Sequence, residues 1–175
     1  MHRIAVGILL LSAVVFSQTT PQKKRSASPH RSHHAMAADE LKWGPPPAGA
    51  IQGQPPADLP PLRTEVAVLD GDPSKPGVPF VLRLKSPDGE KIPPHWHPTD
   101  EHITVLQGTF VLADGEKYSD TGGTELKAGA YASVPNRMWH YGHMKGDTIL
   151  QVHGVGPFVL NFGPIPEKSA KPPAD

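Results

Sequence analysis

Between about residues 62 and 163 the chain breaks into nine short runs rich in β-branched, aromatic and aliphatic side chains, divided by Gly, Asp and Pro. This punctuation constrains the fold more than any other feature. The runs are 65–69, 80–84, 103–106, 110–112, 124–126, 131–134, 139–141, 148–152 and 158–162. Between them stand turn-forming pairs such as Asp70-Gly71, Asp88-Gly89, Gln107-Gly108, Asp114-Gly115, Gly122-Gly123, Ala128-Gly129 and Gly146-Asp147. No window of ten or more residues there holds a helical period, so the region reads as all-β, an antiparallel barrel or double-layered sandwich. Closure of that kind also removes exposed strand edges. Phe80, Leu82, Leu84, Val105, Leu112, Leu160 and Phe162 are the expected core or pocket lining, and Tyr131 and Trp139 are read as core aromatics.

Composition sharpens the boundaries of this region. Pro (22) and Gly (17) are abundant for 175 residues, which favours turns and extended chain over helix. Residues 1–17 read as a signal peptide: after His2-Arg3, only Gly7 and Ser12 interrupt an apolar run over 4–16. A membrane span needs about 20 such residues, so the mature chain is expected free in the periplasm or secreted, with no membrane contact after cleavage. Residues 18–38, rich in Ser, Pro, Lys, Arg and His, hold too little apolar surface to offset the entropy of ordering and read as a disordered tether. His30, His33 and His34 lie in it as solvated linker residues rather than a site. Residues 39–163 form the expected single domain, with a Pro-rich arm at 39–62, including a short edge strand at 40–43, and a barrel core at 63–163. Residues 164–175 form a flexible tail. Lys+Arg and Asp+Glu balance at 17 each, leaving no excess of cations for phosphates, so nucleic acid is not an expected partner. With no Cys there is no disulfide framework, thiol nucleophile or iron–sulfur cluster.

Six of the ten histidines fall inside the β-rich region, two of them as His95-Trp96-His97. On a strand, residues i and i+2 face the same way, so both imidazoles enter one space. Glu101 follows a stretch able to bend, Pro98-Thr99-Asp100, and could return a carboxylate to the pair. A fourth donor has to come from afar, and His140, opening a run after Val134-Pro135-Asn136, is best placed. Three neutral imidazoles and a carboxylate suit one divalent transition metal, Fe, Mn, Ni or Zn, with coordination positions left open.

The spacing Gly89, His95, His97, Glu101, Gly108 resembles the first signature motif of the cupin superfamily at every specified position. Gly129, Pro135 and His140 resemble the second motif. Arg137 departs from it where the family usually has Gly, and Met144 where it often has Asn. The resemblance covers Gly89 to Met144 and is similar to small single-domain cupins. It implies a jelly-roll β-barrel in which His95, His97, Glu101 and His140 are metal ligands.

A 2+ ion with one carboxylate leaves a formal +1 charge, which favours a small anionic or oxygen-ligating substrate. The expected function is a small-molecule enzyme of dioxygenase or oxidoreductase type, with isomerase and decarboxylase chemistry behind it. The alternative is a non-catalytic cupin whose metal is structural or holds a ligand. Gln151 and His153, sharing one face of run 149–153, are candidate acid–base or orienting groups if that face is inward, and Arg83 a candidate carboxylate clamp. A pocket carrying those side chains would favour an enzyme; an apolar one would favour the alternative. His102 is expected on the face opposite Glu101, and so is His143 relative to His140. Homodimerisation through the arm near 41–43 is a further expectation.

Overall fold

The computed structural model describes residues 33–167. The expected signal peptide, His30 and the end of the expected tail lie outside the described residues, as does most of the tether; His33 and His34 are described and exposed.

Nine strands are described: β1 (Ile51–Gln52), β2 (Glu65–Gly71), β3 (Pro79–Ser86), β4 (Lys91–His95), β5 (Glu101–Asp114), β6 (Thr124–Lys127), β7 (Tyr131–Val134), β8 (His140–Val155) and β9 (Leu160–Asn161). The only helical element among the described residues is a single 3-10 turn at Ala38–Glu40. The all-β expectation holds, and the sheet is antiparallel except for the two-residue parallel pair of β1 with β9.

The long strands β5 and β8 pair with each other along nearly their whole length and bend together. Glu101 to Val105 face Leu150 to Gly154, whereas Thr109 to Asp114 face His140 to Lys145. One end of this ribbon carries β7, β3 and β2; the other carries β6 and β4. The two halves become the two layers of a jelly roll, and their inner faces share one apolar core built on Phe80, Leu82, Ile103, Val105, Phe110, Met144, Leu150 and Val152.

Three expectations are corrected by this arrangement. Gln107-Gly108 and Gly146-Asp147 do not end strands; they are irregularities inside β5 and β8 where the register shifts. At Gly108, φ is +73° and an added Cβ would fall 2.4 Å from Thr148 Oγ1, so only glycine fits this crossing. The edge strand expected at 40–43 does not form. Gly44 alone bridges Val66, because the following Pro45, Pro46 and Pro47 have no N–H to continue a ladder. Conversely, β4 lay hidden in the sequence behind Pro93-Pro94. Its register to β8 breaks between Ile92 and His95, across those prolines.

Candidate metal centre

Four polar side chains from three strands and one connecting segment meet at one end of the core. His95 closes β4 and stands directly across from His140, the first residue of β8. Trp96 forms a bridge to Asn161, and His97, two residues after His95, faces the same way. Glu101 opens β5 after a bend clipped by Asp100, whose Oδ1 accepts from the Asn136 backbone N–H at 2.7 Å and side-chain amide at 2.9 Å. All four are buried. His95, His97 and His140 each offer a ring nitrogen, and these lie within 4.8 Å of one another. Glu101 Oε2 sits 3.3 Å from His140 Nε2 and 3.6 Å from His97 Nε2.

The other ring nitrogen of each histidine fixes its protonation. His95 Nδ1 is 2.7 Å from the Pro93 carbonyl, His97 Nδ1 2.8 Å from that of Val159, and His140 Nδ1 3.0 Å from that of Met138. A carbonyl can only accept, so each Nδ1 carries a proton and Nε2 is the nitrogen that each ring turns inward. Two of these nitrogens, on His95 and His97, are only 3.1 Å apart, and His140 Nε2 is buried with no hydrogen bond. Convergent ring nitrogens beside a carboxylate fit a cation, and backbone carbonyls orienting the far nitrogen are the usual support of histidine ligands. Phe158 stacks on the His97 ring at 4.3 Å between centroids and holds its plane.

Electrostatics separate the three rings. Burial, with the neighbouring His140 and His97, pushes His95 well below its ordinary value, and burial pushes His97 down to about 4 against the pull of Glu101. Burial would raise the Glu101 carboxyl, but the His97 and His140 rings beside it hold it below its usual range. Burial also disfavours a charged His140, yet the Glu101 carboxylate outweighs it and leaves that ring raised. The cluster is thus an ionised carboxylate with His95 and His97 held neutral, while His140, drawn toward its charged form by Glu101, gives up a proton when a divalent metal binds.

The cluster opens into a cavity of about 310 Å³ inside the barrel, walled by aliphatic and aromatic residues of both layers, such as Leu82, Phe110 and Leu150. Pro46 to Gln52, the arm preceding the barrel, forms part of that wall. Neither Gln151 nor His153 lines the cavity. Leu150 and Val152 take the inward positions of β8, so strand alternation turns Gln151 and His153 outward. Gln151 accepts from Arg83 Nε at 3.3 Å on the outer face of the sheet, which also removes Arg83 from the pocket. His153 stacks on His102, ring centroids 5.0 Å apart. His102 lies opposite Glu101, its Nδ1 2.7 Å from the Tyr131 hydroxyl. Tyr131, expected in the core, is 56% exposed because its position on β7 faces outward beside His102.

Arg137 explains how the second motif tolerates its departure from glycine. Its φ is +61°, the left-handed region that glycine prefers, and its N–H donates to the His97 carbonyl at 2.7 Å. The backbone shape is kept although the glycine is absent. Sequence reasoning missed Phe158 and Val159 as supports of His97, and the arm as cavity wall; all three contacts join segments far apart in the chain, with no local signal.

The cupin domain family model matches residues 83–156, which contain all four clustered residues. No curated protein matches the chain. Among solved structures, KdgF from a Halomonas species is similar at 14% identity and TM-score 0.50, over 71% of this chain and 96% of that one. An RmlC-like cupin from Shewanella frigidimarina is similar at 15% and 0.50, over 71% and 91%. An acetylacetone dioxygenase from Acinetobacter johnsonii is similar at 15% and 0.50, over 77% and 78%. At such identities the likeness establishes the fold.

Proposed function

We propose that this chain, a member of the cupin superfamily, binds one divalent transition metal (Fe, Mn, Ni or Zn) through His95, His97, Glu101 and His140 and acts on a small oxygen-ligating molecule. The observation that carries this reading is the convergence of three buried imidazole nitrogens on one carboxylate at the end of a ligand-sized cavity. The reaction is of dioxygenase type. A redox-active ion at such a site supplies the activation of oxygen and the polarisation of an oxygen donor. The chain's own residues hold the ion, exclude water with an apolar wall and orient the ligand body.

Isomerisation or decarboxylation asks more of the protein, because a positioned acid or base must move a proton. Gln151, His153 and Arg83 stand outside the cavity, and besides the four metal-binding side chains the one buried titratable group in its lining is Tyr141, whose ring packs against Tyr118. Chemistry centred on the metal needs the fewest further groups. The same apolar wall favours the second reading, a non-catalytic cupin that holds a ligand on its metal. The apolar run near the N-terminus supports action in the periplasm or outside the cell, and pairing of two copies through the arm is a further part of the proposal.

Elemental analysis of untagged protein, beside a His95→Ala/His140→Ala double variant, tests the centre. Near-stoichiometric iron, manganese, nickel or zinc in the parent and its loss from the variant is the expected result; equal metal in both would overturn it. Oxygen uptake by the iron-loaded protein with small 2-oxo acids and diketones then separates the two readings, since binding without uptake identifies the non-catalytic cupin.

A further inference from the structure

Part of the cavity wall comes from segments outside those that carry the metal-binding motif. Leu62, Thr64 and Val66 precede the family-matched stretch 83–156, as does the Pro46–Gln52 arm, and Pro157 to Leu160 follow it. The arm is fastened at both ends. Gly44 and Val66 exchange two backbone hydrogen bonds of 3.1 and 2.7 Å, and β1 pairs with β9, adding bonds from Leu160 N to Ala50 O at 2.9 Å and Phe162 N to Gln52 O at 3.0 Å. Between the fastenings, three consecutive prolines and the open left-handed turn at Gly49 leave a stiff strip against the cavity rather than a loose tail.

The chemistry of this enclosure is one-sided. Among the described residues the wall contains no Lys, Arg or Asp, and Glu101, its one acidic residue, belongs to the metal cluster. The Thr64 hydroxyl is 2.8 Å from Ser86 Oγ and the Ser74 hydroxyl donates to Asp72 at 2.6 Å, which leaves Gln52, exposed at the rim, and Tyr141, packed against Tyr118, as the remaining polar side chains of the wall outside the metal cluster. A second charge or a row of hydroxyls on a ligand body would be buried here without partners, at roughly 1–3 kcal/mol for each unpaired polar group and more for a charge. By volume, about 310 Å³ corresponds to some ten waters at about 30 Å³ each, hence a ligand of about ten non-hydrogen atoms.

Resting on the metal reading above, we infer that the site selects a small molecule with one chelating oxygen end and an uncharged, unhydroxylated hydrocarbon body, and that the Pro46–Gln52 arm sets this selectivity. Polyhydroxylated and dianionic ligands are excluded by the wall, not by the metal.

Two 2-oxo acids of nearly equal size, 4-methyl-2-oxopentanoate and 2-oxoglutarate, present the same chelating end on an apolar and on a charged body. Calorimetric titration of each into the zinc-loaded full chain reads binding without turnover, with the His95→Ala/His140→Ala protein as the baseline for zinc held by other histidines. The apolar acid is expected to bind at least tenfold tighter. An Ala48→Arg variant, an exposed change in the arm at the cavity wall, is expected to leave zinc affinity unchanged while reducing that preference at least threefold. Zinc uptake no greater than the baseline would overturn the metal centre. Normal uptake with equal or stronger binding of 2-oxoglutarate would overturn the ligand class alone, and an unaltered preference in Ala48→Arg would overturn the role of the arm.

Discussion

Two histidine clusters flank the start of β5 on its opposite faces and differ in every property that decides chemistry. The inner one, His95, His97 and His140, is buried, has its Nδ1 protons committed to backbone carbonyls and points ring nitrogens at Glu101. The outer one, His102 and His153, is half-buried, stacked ring on ring, and leans on the Tyr131 hydroxyl. Glu101 and His102 are neighbours in sequence, yet strand alternation sends them to opposite faces. Residue type therefore says little about a metal site; convergence, burial and the partner of the second nitrogen say most of it.

The sharpest way to break this contrast is a charge on either face of β8. Val152→Asp would bury an unpaired carboxylate at a fully enclosed position and is expected to cost more than about 4 kcal/mol, read as loss of the folded circular dichroism signal. His153→Asp, one residue on, is expected to change stability by less than about 1 kcal/mol. If the two behaved alike, the facing of β8 would be wrong.

Acid should act on the inner cluster. In the metal-free chain His95 and His97 have native pKa values below the 6.5 of an unfolded histidine, His97 at about 4. The native state thus binds fewer protons than the unfolded one in this range, so stability is present above pH 6.5 and is lost as pH falls towards 4. His97 alone contributes on the order of 3 kcal/mol of that loss. His140, raised by Glu101, acts in the opposite sense and offsets part of it. Denaturant midpoints measured at pH 7 and pH 4.5 should fall with acid; a rise would show that the Glu101–His140 pair dominates.

Single-residue removal compares the clusters directly. His97→Ala or Glu101→Ala is expected to weaken metal binding by at least about 100-fold, since loss of a supporting partner alone commonly costs 10–100-fold. His102→Ala should leave metal content unchanged and cost less than about 1 kcal/mol of stability. Metal loss in His102→Ala would merge the two clusters into one site. The smallest expected effect is at Arg137, where Arg137→Gly relieves a left-handed residue beside His97 and should raise stability by up to about 1 kcal/mol, a melting shift of a few degrees.

Much of this was legible along the chain. The β-rich runs fell on seven of the nine described strands because period and turn chemistry are local properties. What was misread had a physical reason in each case. Pro93-Pro94 disguised β4, and two glycine-containing pairs that look like turns proved to be bends within continuous strands. The outward facing of Gln151 and His153 was available in the apolar Leu150 and Val152 beside them, which claim the inner face.

By itself the amino-acid sequence determined that the chain would form a β-rich, cysteine-free domain and which four side chains could act together, because residue type, period and motif spacing are written along one strand at a time. Only the tertiary structure decided that the three imidazoles and the carboxylate converge, that Phe158 and Val159 brace His97, and that a proline arm lines an apolar cavity. Those outcomes depend on contacts between residues up to about 110 positions apart, such as Ala50 with Leu160, and no local pattern encodes which distant segments will share a face.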